Sequence, residues 1–354
     1  MKKSKDILRL EKPDMGIKIN ERSEQAYVFP PIAPVSAEHV EVGDGHMLWV
    51  ERSGAAAGFP IIALHGGPGV PLEPADRRLF NPALFTLFQF DQRGVGRSTP
   101  HAQTKANSLW HTVADLEHLR IRYGIERWIV TGHSFGTTIA LAYAQKYPDR
   151  CAGLLLRGLY LSTKEERDWA LIGWRMMWPE AWADAVAQIS PGAPDAYYDA
   201  IGMQLVDPDP AIRAKAAKAF SKFELSCCFA DPTQDNLDAM LHPTSNWANA
   251  VIAMHYGQHG HFLEPDQLIR DLYRIRSIPA IVVNGRNDVV TPPGPAWRLK
   301  TLWPELELRF ATLAGHLSTE AGNIVAVTKA ADDLAARVTD QTFWMPLAAP
   351  QATP

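Results

Sequence analysis

The chain has 354 residues, enough for one large core carrying a substantial insertion or for two domains. Its 35 Lys plus Arg stand against 39 Asp plus Glu, and no long like-charged block suits it to nucleic acid or a membrane surface. Three cysteines, Cys151, Cys227 and Cys228, fit neither a zinc site nor a disulfide framework, and no apolar run is long enough to cross a bilayer; a soluble protein of the reducing cytoplasm is expected.

Charges interrupt the N-terminal M-K-K-S-K-D-I-L-R-L before the apolar stretch of an export signal could form, so the first residues read as an untargeted extension. From Ala37 onward, β-rich runs alternate with helical patterns. Met47 to Glu51, Ile61 to Leu64, Phe85 to Phe90 and Trp128 to Thr131 read as strands, most of them apolar throughout, as suits a mostly parallel sheet covered on both faces. Leu109, Val113, Leu116, Leu119 and Tyr123 recur at helical spacing, and Gly124 closes that helix as a C-cap. The alternation resumes at Ala152 to Leu156, lapses between about Tyr160 and Arg270, and returns at Pro279 to Asn284 and Leu306 to Thr312. The fold expected is therefore α/β, with an inserted helical domain. Within the lapse, Trp169, Trp174, Trp178 and Trp182 read as a buried helix face, with a ligand-lining stripe as the other reading.

The strand Trp128 to Thr131 runs into Gly132-His133-Ser134-Phe135-Gly136 and then into a small-residue helix, Thr137 to Lys146. A serine hydroxyl is a weak nucleophile unless it is held beside a base, and a sharp strand-to-helix turn presents it above the sheet. Ser134 is the expected nucleophile. In this fold the orienting acid and then the base follow on loops after later strands. Asp288 in G-R-N-D and His316 in A-G-H occupy those two places, whereas Asp332 and Asp333 come too late in the chain. Upstream, His65-Gly66-Gly67-Pro68-Gly69 follows an early strand. The expected oxyanion donors are the N–H of Gly67 or of its neighbour Gly66, together with that of Phe135. His65 and His133 read as structural. His255, His259 and His261 lack the spacing of a metal set, and R-G-V-G-R-S around Gly94 and Gly96 reads as a turn rather than a nucleotide loop. No metal or other cofactor is expected.

H-G-G-P-G, F-D-Q-R-G-V-G-R-S-T-P-H-A at Phe90 to Ala102 and W-H-T-V-A-D-L-E-H-L-R at Trp110 to Arg120 closely resemble the proline iminopeptidases. So do L-A-Y-A-Q-K-Y-P, L-L-R-G, W-P-E-A-W and G-R-N-D. The resemblance runs from about Tyr27 to about Arg337. It implies the α/β-hydrolase fold, with the core at residues 27–158 and 270–345, a helical cap at 159–269, an extension at 1–26 and a tail at 346–354. It also implies hydrolysis of an N-terminal proline or another small residue from a small peptide, amide or arylamide. In that family acidic cap residues hold the free substrate amine. F-S-K-F-E stands where W-x-x-W-E is usual, which implies substrate-binding roles for Glu224, Phe220 and Phe223, with Arg157 of L-L-R-G beside them. A second acidic residue is usual just before the His-Tyr pair, and here Ala253 stands there, with Glu264 or Asp266 of the same region as the acids that could compensate. The elbow, commonly G-G-S-W-G, is G-H-S-F-G here, and Phe135 retains an aromatic wall. Two other readings remain beside the aminopeptidase: a hydrolase of neutral amides, anilides or esters, and a binding protein that has lost catalysis.

Overall fold

A computed structural model describes residues 28–229 and 233–339. The expected extension at 1–26 and tail at 346–354 lie outside the described residues. One sheet runs in the order β1-β2-β4-β3-β5-β6-β7-β8. Its strands are β1 (Ser36–Glu41), β2 (Met47–Gly54), β3 (Phe59–Leu64), β4 (Phe85–Phe90), β5 (Trp128–His133), β6 (Cys151–Arg157), β7 (Ala280–Gly285) and β8 (Glu307–Ala311). The β1·β2 and β2·β4 pairs are antiparallel, and every pairing from β4 to β8 is parallel. β1 carries no apolar run and is largely exposed at the sheet edge, so hydrophobic periodicity gave no sign of it.

The helices of eight residues or more are α1 (Leu109–Arg122), α2 (Phe135–Lys146), α3 (Pro179–Ile189), α4 (Tyr197–Leu205), α5 (Pro210–Cys228), α6 (Pro243–Gln258), α7 (Pro293–Leu302) and α8 (Ala321–Thr339). Side chains alternate across a strand, and both faces of this sheet are covered. Ile62, Leu64, Phe88, Phe90 and Val282 join the cluster that α1, α2 and α7 complete. Ile61, Phe85, Leu87, Ile281 and Val283 join the one that α8 completes. Each such side chain removed from water contributes about 1.5–3 kcal/mol, which is why the central strands are apolar at nearly every position. Ser108 caps α1 by accepting from the His111 N–H, and Gly124, at φ 65, follows its C-cap Tyr123.

Helices α3 to α6 all fall between β6 and β7 and build a third cluster of their own around Ile189, Tyr197, Ile201, Phe220 and Phe223. Trp174, Trp178 and Trp182 pack against that cluster, so they form a structural face. Trp169 departs from the series, because its indole N–H donates to the carbonyl of Val289 (2.7 Å), beside Asp288. The insertion is thereby anchored to the loop after β7.

Candidate active site

Ser134 leaves β5 at φ 54, ψ −128 and opens α2. A non-glycine residue held there carries about 1–3 kcal/mol of strain, sustained only because its surroundings fix it. The two flanking glycines explain how. A Cβ on Gly132 would lie 2.3 Å from the Gly136 carbonyl oxygen, and one on Gly136 would lie 2.3 Å from that of Leu64. Side chains at either position would pry the turn open. Ser134 also donates its N–H to the Arg157 carbonyl (3.0 Å), and its own carbonyl accepts from Thr137 Oγ1 (2.7 Å).

Asp288 and His316 meet on loops beyond β7 and β8. His316 Nδ1 lies 2.9 Å from Asp288 Oδ2 and 3.1 Å from Oδ1. The carboxylate also accepts from the Thr291 N–H (2.9 Å) and the Thr291 hydroxyl (2.8 Å). Burial pushes Asp288 upward, but His316 and the two Thr291 hydrogen bonds outweigh it and hold the carboxyl below its ordinary value. An ionised partner at Nδ1 fixes the proton there, which leaves Nε2 bare as a proton acceptor. At the end of β6, Gly158 (φ 57) closes against this pair: a Cβ there would be 3.0 Å from Thr291 Oγ1, 3.3 Å from Asp288 Oδ2 and 3.4 Å from His316 Cε1.

Arg157 is a correction. Its side chain is buried beneath the site, and Nη1 donates to the His316 carbonyl (2.5 Å). Burial lowers its pKa, opposed by Asp76, Asp288 and Glu320. One residue thus ties the serine turn, through its carbonyl, to the histidine loop, through its guanidinium. Its guanidinium is buried against the His316 carbonyl rather than presented as an exposed contact for substrate. A charged residue closing the apolar strand C-A-G-L-L-L-R was the available signal.

The H-G-G-P-G loop lies against the serine turn, since a Cβ on Gly66 would be 2.9 Å from Ser134 Cβ. The choice between Gly66 and Gly67 narrows here, because the Gly66 N–H is already engaged by His133 Nε2 (3.2 Å). Burial, then the charges of Arg157, His65 and His316, push His133 well below its ordinary value, so it stays neutral and able to accept. Gly67 N–H meets no protein acceptor among the described residues. Phe135, the first residue of α2, has no intrahelical acceptor for its N–H. Its ring is buried, with centroids 5.5 Å from Tyr256 and 5.2 Å from His261. His65 is structural: its Nε2 accepts from the Gln92 N–H (3.1 Å). The R-G-V-G-R-S segment is a turn whose Gly96 packs on Asp91, which itself accepts from the Leu72 N–H (2.8 Å) and steadies the exit of the H-G-G-P-G loop.

In the insertion, Glu224 lies on α5 and accepts from Asn249 Nδ2 on α6 (2.9 Å). Burial pushes its carboxyl up to about 7, with the Asn249 hydrogen bond opposing. Phe220 and Phe223 are buried in the insertion's own core, Phe223 against the ring of Trp182 (5.3 Å), a second correction to the residues expected to touch substrate. Ala253 packs on the same core, and Glu264 and Asp266 are exposed. His255 binds the Asn107 carbonyl (2.9 Å), His259 the His255 carbonyl (2.8 Å) and His261 the Ser162 hydroxyl (2.5 Å), so these three are engaged individually. Among the described residues no group of three His, Cys, Asp or Glu could hold a metal, and no helix is long and apolar enough to cross a membrane.

A family model of the alpha/beta hydrolase fold matches residues 60–320. The proline iminopeptidase of Xylella fastidiosa is 40% identical over 309 residues, covering 86% of this chain and 98% of the relative. That of Arabidopsis thaliana is 38% identical, over 83% of this chain and 78% of the relative. Among solved structures, a haloalkane dehalogenase loop variant from Bradyrhizobium elkanii superposes with a TM-score of 0.61 at 14% identity, covering 88% of this chain and 100% of that one. An alpha/beta fold family hydrolase from Bacillus anthracis does so with 0.58 at 17%, covering 85% and 100%. At such identities these two likenesses speak for the fold alone.

Proposed function

The chain belongs to the α/β-hydrolase family and, within it, to the proline iminopeptidases, and from that premise we propose that it releases an N-terminal proline or another small residue through an acyl-enzyme on Ser134. The observation that carries the chemistry is the buried Asp288–His316 pair, bound at 2.9 Å and linked through Arg157 to the strained serine turn. His316 Nε2 takes the proton of the Ser134 hydroxyl as Oγ attacks the substrate carbonyl. Asp288 stabilises the imidazolium so formed. Negative charge develops on the carbonyl oxygen and is received by the N–H groups of Gly67 and Phe135, each such donor contributing about 10²–10³ in rate. The tetrahedral intermediate collapses, His316 passes the proton to the leaving amine, and water repeats the sequence to free the acyl group.

Residues 159–269 serve as a cap over this site, and Glu224 receives the substrate's free amine. An ammonium drawn out of water needs a paired counter-charge, which a carboxylate set into the cap supplies. The unpaired cysteines support a reducing, cytoplasmic setting. A second reading, hydrolysis of neutral amides, anilides or esters, is favoured by Ala253, where the family usually carries its second acid.

Steady-state kinetics on paired substrates separate the two. Prolyl and alanyl arylamides with free amines are expected to turn over faster than their N-acylated counterparts. Turnover of the blocked substrates alone would transfer the assignment to the second reading.

A further inference from the structure

Asn249 is buried, and its amide is only half satisfied. Nδ2 donates to Glu224 Oε2 at 2.9 Å and lies 3.4 Å from Ser221 Oγ. Oδ1 is buried with no hydrogen-bond partner among the described residues. The orientation follows from charge, since turning Oδ1 toward the Glu224 carboxylate would set two acceptors face to face. A buried carbonyl oxygen without a donor carries a desolvation cost that protein structures rarely leave uncompensated.

Its position connects it to the reaction. The H-G-G-P-G loop lies flush against α6 at this residue, because a Cβ on Gly69 would be 2.8 Å from Asn249 Cα. The same loop touches Ser134 three residues earlier, at Gly66. On α5, Cys228 lies one turn beyond Glu224, and besides burial its thiol feels the charges of Asp288 and Arg157, so this face of α5 also lies within electrostatic reach of the acid–base pair. Ala253 is one helical turn beyond Asn249 on the same side of α6. An acceptor at 249 can therefore serve where the expected carboxylate at 253 is missing.

We infer that Asn249 is the second half of the amine clamp, its Oδ1 accepting one N–H of the substrate's N-terminal ammonium while the Glu224 carboxylate accepts the other. The inference rests on the free-amine reading above. Its chemistry is specific: a clamp of one carboxylate and one amide oxygen carries a single negative charge and offers two acceptors, which match the two N–H groups of a secondary ammonium such as an N-terminal proline. A primary ammonium has a third N–H that this pair leaves unmatched.

The test compares wild type, Asn249→Ala and Asn249→Asp on a prolyl arylamide and on an ester whose acyl group lacks an amine. Loss of a hydrogen bond to a charged group is expected to raise KM for the prolyl substrate about tenfold or more in Asn249→Ala, well beyond any change with the ester. Asn249→Asp keeps an acceptor oxygen and loses the Nδ2 donor, so it should retain most of the selectivity for the amine. Equal losses on both substrates in Asn249→Ala would overturn the inference. So would an Asn249→Asp enzyme as impaired as Asn249→Ala, because Asn249 would then act only by holding Glu224. Rapid fluorophosphonate labelling of each variant shows that its site has folded. Wild-type enzyme that cleaves the prolyl substrate while Asn249→Ala is indifferent refutes this inference alone; wild-type enzyme that cleaves only amine-free substrates refutes the free-amine reading with it.

Discussion

The two halves of the site are built by different means. At the strand ends, Ser134, Asp288 and His316 are held largely by the main chain, through carbonyls packed where a Cβ would go, a strained φ and the Thr291 N–H on Asp288, with the Arg157 guanidinium added on the His316 carbonyl. In the helical insertion, Glu224 is held by one side-chain contact across two helices, from Asn249. The first arrangement tolerates almost no substitution and fixes the kind of chemistry. The second depends on a single residue pair, so under the proposed amine-binding role substrate preference can diverge while the reaction does not.

Variants of the strand-end machinery are therefore expected to lose kcat, and variants of the proposed clamp to lose affinity. The largest effect is expected from Asp288→Asn, which leaves His316 without an anionic partner at Nδ1 and should lower kcat about 10⁴-fold in steady-state assays with little change in KM. Arg157→Met comes next. Without the brace on the His316 carbonyl, kcat should fall about 10- to 100-fold, and Arg157→Lys should recover part of the loss; a change confined to KM would return Arg157 to a substrate-binding role.

Glu224→Gln should act mainly through KM, raising it for free-amine arylamides about tenfold or more while an amine-free ester is affected far less. In wild-type enzyme the carboxylate must be ionised to hold an ammonium, so kcat/KM for free-amine substrates should decline as pH falls through about 7. That component should be missing from the pH profile of Glu224→Gln. The smallest effect is on stability. Glu224 is raised from 4.5 to about 7 in the folded chain, so the native state holds this proton more tightly than the unfolded one, and stability declines as pH rises across that interval. Glu224→Gln removes the decline, and its Tm should exceed that of wild type by about 5 °C near pH 8 and converge with it near pH 4.

The same contrast explains what could be read from the chain. Gly132, Ser134 and Gly136 were legible because a tight turn imposes its demands on neighbours in sequence, and Asp288 and His316 because each follows an apolar strand at loop distance. Gly66 was not separable from Gly67, since the rotamer of His133 decides which N–H remains open. Arg157, Phe220 and Phe223 were misplaced for a related reason: a resemblance transfers a residue's neighbourhood, whereas the direction of its side chain depends on packing. The edge strand Ser36–Glu41 was not among the strands marked by apolar runs, because it buries almost nothing. The Glu224–Asn249 contact joins residues 25 apart on two helices, and no local pattern encodes it.

Covalent trapping probes Ser134 as the nucleophile of an acyl-transfer site. Wild-type enzyme treated with a fluorophosphonate should carry one phosphonyl group, located on Ser134 by peptide mass spectrometry, with activity lost in proportion, and Ser134→Ala should take up none. Labelling of a different residue, or an unlabelled wild-type enzyme that still hydrolyses its substrates, would contradict that role.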